Sequence, residues 1–228
     1  MIRVTENFRK IQDLLAKAAV EAGRSPDAVR LLAASKTQSP ETVLEAVSAG
    51  QRDFGENFAK EGVEKMAATG RDDLIWHFIG HIQSNKTRVI AENFAWVHTV
   101  DRLKIAERLS KQRPFYADEL NICIEVNIDD EEGKSGVKAD DALQLAQSIE
   151  ALPGLRLRGL MCIPAIRETP YEQHEPFART RELSESLARS GIDLDTLSMG
   201  MTSDFVPAIH EGATIVRIGT ALFGPRKT

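Results

Sequence analysis

The sequence has few cysteines, no long apolar run and no excess of positive charge. Cys123 and Cys162 are the two cysteines of 228 residues, too few for a disulfide framework or a four-thiolate zinc site. The longest stretch without Asp, Glu, Lys or Arg is Leu74–Asn85, well short of the roughly 18 apolar residues of a membrane span. The net charge of −5 argues against a general nucleic-acid or membrane-surface binder, since both need clustered positive charge.

The sequence also lacks the residue spacing of a metal site and the apolar segment of a signal peptide. The five histidines show no spacing typical of a metal site, so no metal is expected. His77 and His98 fall inside apolar runs and are interpreted as core histidines, whereas His81 follows a run and is the best candidate among the histidines for touching a ligand. Residues 1–6 lack the apolar region of a signal peptide, so we expect a cytoplasmic protein.

What the sequence does contain is a regular alternation of helical and strand patterns. Apolar residues at helical spacing predict a first helix over 5–22. Eight short apolar runs follow, mostly continuous, as expected of strands covered on both faces. The predicted strands are 31–35, 52–55, 75–79, 96–100, 121–128, 156–163, 196–199 and 214–218. The predicted helices between them are 40–49, 84–92, 102–111, 140–151, 172–190 and 204–210.

Eight strands, nearly every one followed by a helix, predict an α/β fold. We expect a (β/α)8 TIM barrel that forms a single domain over 1–228. In it, 1–30 would be an extra N-terminal helix and lead-in, and 31–224 the barrel. The alternative is a doubly wound open sheet, which is less favoured because no G-x-G-x-x-G follows the first strand.

Lys36 is the most informative single residue for function. It directly follows the first predicted strand, so in a barrel it lies at the mouth, where active sites are found. Partial desolvation there would favour the neutral amine, which an imine-forming lysine needs. The alternative is a lysine whose stem covers apolar surface while its ammonium reaches solvent.

The ends of the seventh and eighth strands favour a phosphate ligand. Ser198 lies at the end of the seventh strand and Gly200 follows it, while Gly219 and Thr220 follow the eighth. Barrels often bind phosphate at this pair of loops. The alternative is that these residues only form turns. A reactive lysine opposite a phosphate site describes a pyridoxal phosphate site, in which Arg217 could face the pyridine nitrogen and leave it unprotonated. The alternative for Arg217 is an ion pair within the barrel wall.

Seven segments that span nearly the whole chain resemble the pyridoxal phosphate homeostasis protein family. They are Leu32–Thr37, Phe54–Asn57, Trp76–Lys86, His98–Asp101, Arg158–Met161, Ser198–Met201 and Val216–Gly224. The resemblance implies a barrel like the N-terminal domain of alanine racemase, with pyridoxal 5'-phosphate (PLP) held on Lys36 as an aldimine. It implies that Asn57 lies beside the cofactor, that Arg217 approaches the pyridine nitrogen, and that the loops after the last two strands hold the phosphate through Ser198, Gly200, Gly219 and Thr220.

The resemblance further implies a carrier or regulator of the cofactor, without an established reaction. PLP-dependent apoenzymes are then possible recipients, and a monomer is the expected state, with a dimer as the alternative. A racemase-like enzyme is the second hypothesis. The related racemases take a second acid–base tyrosine from a separate domain, whereas this chain has only Tyr116 and Tyr171, both between predicted elements. The third hypothesis is an aldolase-like barrel in which Lys36 forms a Schiff base with a sugar phosphate.

The segment Asp129–Gly136 has the remaining motif of interest. Its Gly133-Lys134-Ser135 is similar to the end of a P-loop, but Ile128 stands where the first glycine is required. The neighbouring acidic residues would also repel a phosphate. We interpret the segment as a solvated loop whose Lys134 could reach over the barrel mouth and gate the cofactor.

Overall fold

The computed structural model describes residues 4–225. Its eight strands form a closed barrel with neighbours in chain order, and every pairing is parallel. The strands are β1 (Arg30–Ala34), β2 (Asp53–Glu56), β3 (Ile75–Phe78), β4 (Trp96–Val100), β5 (Leu120–Val126), β6 (Leu155–Cys162), β7 (Thr196–Ser198) and β8 (Ile215–Ile218). All eight predicted strands are confirmed to within two residues, and so is the closed barrel.

Helices follow the strands on the outside of the barrel. They are α1 (Val4–Glu21), α2 (Pro40–Ser48), α3 (Ala59–Thr69), α4 (Thr87–Asn93), α5 (Leu103–Gln112), α6 (Ala142–Glu150), α7 (Pro170–Arg189), α8 (Phe205–His210) and α9 (Thr220–Phe223). The helix α3 was not predicted. Its pattern is broken by Gly62, whose Cβ would lie 2.7 Å from the ring of Phe94, and by the charged but buried Lys65.

The N-terminal helix α1 takes the place of an eighth outer helix. The helix α9 after β8 has four residues, and α1 packs against α9, α8 and α2. Phe8, Ile11 and Leu15 form its buried face. At its C-terminal end, Arg24 donates to the main-chain oxygens of Ile209 and Ala213, at 3.0 and 2.8 Å. The extra helix therefore closes the outer ring.

The core has two parts, one between strands and helices and one inside the barrel. The inner apolar cluster contains Leu32, Trp96, Cys123, Met161 and Ile215. Both cysteines are buried, and burial raises the pKa of Cys123 to about 12 and that of Cys162 to about 11. Neutral thiols of this kind are small hydrophobic side chains and not nucleophiles.

Two further features concern the part of the chain that the structure describes. No helix within 4–225 is both long and apolar enough to cross a membrane. The same residues contain no group of three or more His, Cys, Asp or Glu side chains that could hold a metal ion.

Candidate cofactor site at the barrel mouth

Lys36, Asn57 and Gly219 follow three neighbouring strands and therefore lie together at the mouth. In the strand register, Ala33 of β1 pairs with Ile218 of β8, and Ala34 pairs with Gly55 of β2. Lys36 is half-buried. A Cβ on Gly219 would lie 3.3 Å from the main-chain oxygen of Ala34, so the β8 loop lies directly beside the backbone that leads to Lys36.

The backbone on both sides of Lys36 is fixed by carboxylates of β2 and α3. Before it, the Ser35 hydroxyl donates to Glu56 Oε1 at 2.6 Å. After it, Thr37 has a left-handed backbone, with φ of 65°, and its N–H donates to Glu61 Oε1 at 2.7 Å. A non-glycine residue in this region is strained, so this hydrogen bond helps to hold the turn that presents Lys36.

Lys65 of α3 forms ion pairs with both of these carboxylates, Glu56 and Glu61. Its Nζ lies 2.6 Å from Glu56 Oε1 and 3.1 Å from Glu61 Oε1. The side chains of Lys65 and Glu56 are 3% and 0% exposed. Burial raises the pKa of Glu56, and the Lys65 ammonium opposes that shift. The sequence did not single out any of these three charged residues, because charged side chains are usually exposed and their burial here depends on one another.

Asn57 has an unsatisfied polar atom. Its Oδ1 is buried and has no hydrogen-bond partner among the described residues, whereas buried polar atoms are normally paired. Asn57 lines a cavity of about 450 Å³ together with Phe78 and His81. Gly80 packs against it so closely that a Cβ would lie 2.1 Å from the main-chain oxygen of Asn57. The Asn57 amide oxygen is therefore available to a hydrogen-bond donor.

The loop after β7 is tightly turned. Gly200 has a φ of 91°, and its Cβ would lie 2.7 Å from the Cβ of Ala208. The main-chain N–H of Met201 donates to Asp204 Oδ1 at 2.6 Å. Asp204 is the residue before α8. Its side chain holds the loop through this hydrogen bond and makes no cap hydrogen bond to the helix.

The loop after β8 begins the short helix α9 at the same side of the mouth. Gly219 is its N-cap and Thr220 its first residue. The first N–H groups of a helix have no partner within it, and Thr220 is exposed. These donors point away from the helix body, as an anion requires.

Arg217 lies inside the barrel below this loop. Its Nη1 donates to the Ser198 main-chain oxygen at 2.6 Å and to Ser198 Oγ at 2.9 Å, and its Nη2 donates to the Cys162 main-chain oxygen at 2.9 Å. Among the described residues, these neutral oxygen atoms are its hydrogen-bond acceptors. Burial lowers the pKa of Arg217, and the neighbouring Cys162, Asp204 and Glu125 oppose that shift.

The Ser198 side chain points into the barrel and not into the loop. Its Oγ accepts from Arg217 and lies 2.8 Å from His98 Nδ1. His98 and His77 are buried. The interpretation of both histidines as paired core residues agrees with this arrangement, and any contact of Ser198 with a phosphate would involve its main chain.

One acidic side chain at the mouth was missed by the sequence analysis. Glu125 is 8% exposed and lies on the inner face of β5, two residues beyond Cys123 of the inner cluster. Burial raises its pKa to about 7, with a smaller contribution from Asp101, and Arg217 and Lys134 oppose the shift. The signal was present, since a Glu within an apolar strand is unusual.

The loop from 127 to 138 crosses part of the mouth. Val137 pairs with Val126 at the end of β5, and Ser135 Oγ lies 3.4 Å from His81 Nδ1, beyond β3. The Lys134 ammonium binds Glu131 of the same loop. The loop thus spans from β5 to β3 and places Lys134 near Glu125.

Comparison with known proteins identifies the class. The family model for the alanine racemase N-terminal domain matches residues 4–227. An alanine racemase of Clostridium difficile shares the fold, with a TM-score of 0.75 at 14% identity, over 98% of this chain and 58% of the racemase. The closed barrel and the family model together place the chain in the class of the alanine racemase N-terminal domain.

Curated relatives narrow this class. The pyridoxal phosphate homeostasis protein of Pseudomonas aeruginosa is 54% identical over 99% of this chain and 97% of its own length, and that of Escherichia coli is 46% identical over 98% and 97%. PipY of Synechococcus elongatus, solved with PLP bound, has a TM-score of 0.81 and 36% identity, over 92% of this chain and 100% of PipY. The chain belongs to the pyridoxal phosphate homeostasis protein family.

Proposed function

We propose that this protein binds pyridoxal 5'-phosphate through a Schiff base on Lys36 and acts in cytoplasmic PLP homeostasis as a carrier. One observation carries the proposal. Lys36 follows β1 beside the Gly219 loop of β8, and the Arg217 main-chain N–H donates to the Gly200 main-chain oxygen, so both glycine loops lie on the side of the mouth where the Arg217 guanidinium is buried. The bound cofactor supplies an aldehyde to the amine and a phosphate to the loops.

The phosphate is assigned to the loops after β7 and β8. Gly200 and Gly219 allow the backbone to approach closely, and a side chain at either position would meet a neighbour within 3.3 Å. Thr220 adds a hydroxyl at the first turn of α9. The Ser198 main chain completes this set at the end of β7. Main-chain N–H groups and a hydroxyl suit a phosphate because they donate hydrogen bonds without charge.

Arg217 and Asn57 are assigned to the cofactor ring. Arg217 donates and never accepts a proton, so beside the pyridine nitrogen it would keep that nitrogen unprotonated and weaken the ring as an electron sink. The unpaired Asn57 Oδ1 lies on the other side of Lys36 and can pair with a polar ring substituent. This set holds a cofactor more readily than it activates one.

Two observations favour a carrier over a racemase. The relatives are named for homeostasis of the cofactor, and the tyrosines of this chain, Tyr116 and Tyr171, are 80% and 88% exposed. Racemisation needs an acid–base group on each face of the substrate. Lys36 could serve one face, whereas both tyrosine side chains face solvent.

The test is the visible spectrum of purified protein, before and after borohydride reduction. We expect a Schiff-base band that Lys36→Ala loses, and reduction that attaches the cofactor to Lys36. Lys138→Ala is the matched control, since Lys138 is a lysine at the rim that is 66% exposed. A racemisation assay on the same preparation then tests the carrier role.

Each part of the proposal has its own contrary result. A wild type that gains no band with added PLP would overturn cofactor binding and favour a Schiff base between Lys36 and a sugar-phosphate substrate. Reductive labelling of another lysine would overturn the assignment to Lys36 alone. Turnover of an amino acid at enzymatic rates that depends on Lys36 would replace the carrier by a racemase-like enzyme.

A further inference from the structure

A line of hydrogen bonds crosses the barrel interior from Asp53, at the start of β2, to Arg217. Asp53 Oδ1 lies 3.0 Å from His77 Nε2, and His77 Nδ1 lies 2.9 Å from His98 Nε2. His98 Nδ1 lies 2.8 Å from Ser198 Oγ, which lies 2.9 Å from Arg217 Nη1. The five side chains come from five different strands. We call this set of side chains the interior chain.

The chemistry of its two ends fixes the direction of the interior chain. A guanidinium only donates, and an ionised carboxylate only accepts. Ser198 Oγ therefore accepts from Arg217 and directs its own proton to His98 Nδ1. Each neutral imidazole has one donor and one acceptor nitrogen, so His98 donates through Nε2 to His77, and His77 donates through Nε2 to Asp53. Every donor in the interior chain then points from Arg217 towards Asp53.

The surroundings keep both imidazoles neutral. Burial lowers the pKa of His77 and lowers that of His98 well below its usual range. His98 also faces the positive charges of Arg217 and Arg30. Within residues 4–225, the acidic group in contact with His77 is Asp53, which also binds Arg30 at 3.4 Å. Arg217 is then the one cation of the interior chain at its cofactor end.

Reversal of the direction would disturb Arg217. A proton on His98 Nδ1 would point at Ser198 Oγ, which would then receive two donors and would need a new acceptor for its own proton. Arg217 Nη1 would compete for the same oxygen. Cooperative chains of this kind lose more than one bond when a member is removed.

We propose that Asp53, His77 and His98 are positioning residues for the cofactor ring: they orient Ser198 Oγ, and Ser198 in turn fixes the guanidinium of Arg217. In this scheme the side chains of Asp53, His77 and His98 do not touch the cofactor. The inference deepens the proposed function and rests on it. The inference explains why polar side chains, and not apolar ones, fill this part of the barrel interior.

The first experiment measures the direction of the interior chain without the cofactor or any variant. Nitrogen-15 NMR of the histidine-labelled full chain distinguishes the two neutral tautomers and the cation. We expect both His77 and His98 to be neutral with the proton on Nε2 throughout about pH 5 to 8. An Nδ1 proton on either buried histidine would overturn the proposal, even if PLP binds as proposed.

The second experiment measures the effect on the cofactor. In the holoprotein, Asp53→Leu removes the terminal acceptor, whereas Asp53→Asn retains an acceptor oxygen. We expect Asp53→Leu to weaken PLP binding roughly tenfold and to shift the pH dependence of the visible band, and we expect Asp53→Asn to restore both. Asp195→Asn is the matched control, since Asp195 lines the same face of the barrel outside the interior chain.

The outcomes separate the inference from the proposed function. If Asp53→Leu folds and its affinity and band match the wild type, the positioning role is wrong although Lys36 still carries the cofactor. If the wild type itself shows no Schiff-base band, the proposed function fails. The tautomers of His77 and His98 then still show whether the hydrogen bonds of the interior chain have the proposed direction. If Asp53→Leu does not fold, His77→Leu and the tautomer measurement provide the decision, because a leucine can neither donate to Asp53 nor accept from His98; unchanged PLP affinity in a folded His77→Leu would overturn the positioning role.

Discussion

The ammonium of Lys65 donates to the main-chain oxygen of Ser35 at 2.8 Å, and Ser35 is the residue before Lys36. The same ammonium forms the buried ion pair with Glu56, which in turn accepts from the Ser35 hydroxyl. A buried lysine of α3 thus fixes the backbone that presents the proposed cofactor lysine. Packing of α3 and the geometry of the mouth are coupled through this contact.

Removal of Lys65 should therefore be costly. In Lys65→Met the Glu56 carboxylate stays buried without its partner, so we expect a loss of about 3–5 kcal/mol in the free energy of unfolding, measured by urea denaturation. Lys60→Met on the same helix is the control, because Lys60 is 86% exposed and its exposed pair contributes at most about 1 kcal/mol. Equal effects of the two substitutions would show that the buried pair is not needed, and recovery in Lys65→Met with Glu56→Gln would identify the unpaired charge as the cause.

Gly200 provides a second test, in the loop after β7. An alanine there has both a left-handed backbone, with φ of 91°, and a Cβ 2.7 Å from Ala208. Gly191 has a similar φ of 88° but no atom within 4 Å of its Cβ. We expect Gly191→Ala to lose about 1 kcal/mol of stability through its backbone alone, and Gly200→Ala to lose about 1–3 kcal/mol more.

The same pair of variants tests the phosphate assignment. Because the Gly200 turn is proposed to hold the phosphate, Gly200→Ala should also weaken PLP binding in an absorption titration, whereas Gly191→Ala should leave it unchanged. Unaltered affinity in a folded Gly200→Ala variant would remove this loop from the phosphate site.

The strands and the barrel were predictable because their signals are local. Continuous apolar runs such as that of β5 indicate a strand whatever its partners are, and eight of them with intervening helices leave few architectures. The helix α3 was missed because its face is set by tertiary contacts. Gly62 fits under Phe94, and Lys65 is buried because Glu56 faces it.

The candidate site was predictable only in part. Lys36, Gly200 and Gly219 could be grouped from the sequence because strand ends in a barrel share one mouth, and their roles in binding stay predictions. The partners of Ser198 could not be predicted, since the His98 that binds it lies 100 positions away in the chain. Hydrogen bonds across the barrel depend on strand register and on which face a residue takes, and the pattern of one strand contains neither.

The loop across the mouth gives a kinetic prediction. Lys134 binds Glu131 and lies near Glu125, while Ser135 reaches His81. If this loop gates the cofactor, Lys134→Ala should release PLP to an acceptor apoenzyme about threefold faster, which corresponds to the loss of one hydrogen bond. Release is followed as loss of the visible band. Lys138→Ala, at the far end of the same loop, is the control, and equal release rates in wild type and Lys134→Ala would argue against a gate.

Glu125 gives the pH dependence of stability. Its pKa in the folded protein is about 7, against an ordinary value of 4.5, so the folded state binds its proton more tightly than the unfolded state. The corresponding stability is present below about pH 4.5 and is lost as the pH rises through 7, an effect of roughly 3 kcal/mol. Glu125→Gln should therefore equal the wild type near about pH 4.5 and exceed it by up to that amount at about pH 8, in urea denaturation without cofactor. Glu132→Gln, in the exposed part of the loop, should follow the wild type at both pH values. A constant difference between wild type and Glu125→Gln across this range would mean that Glu125 is ionised as readily in the folded protein as in the unfolded chain.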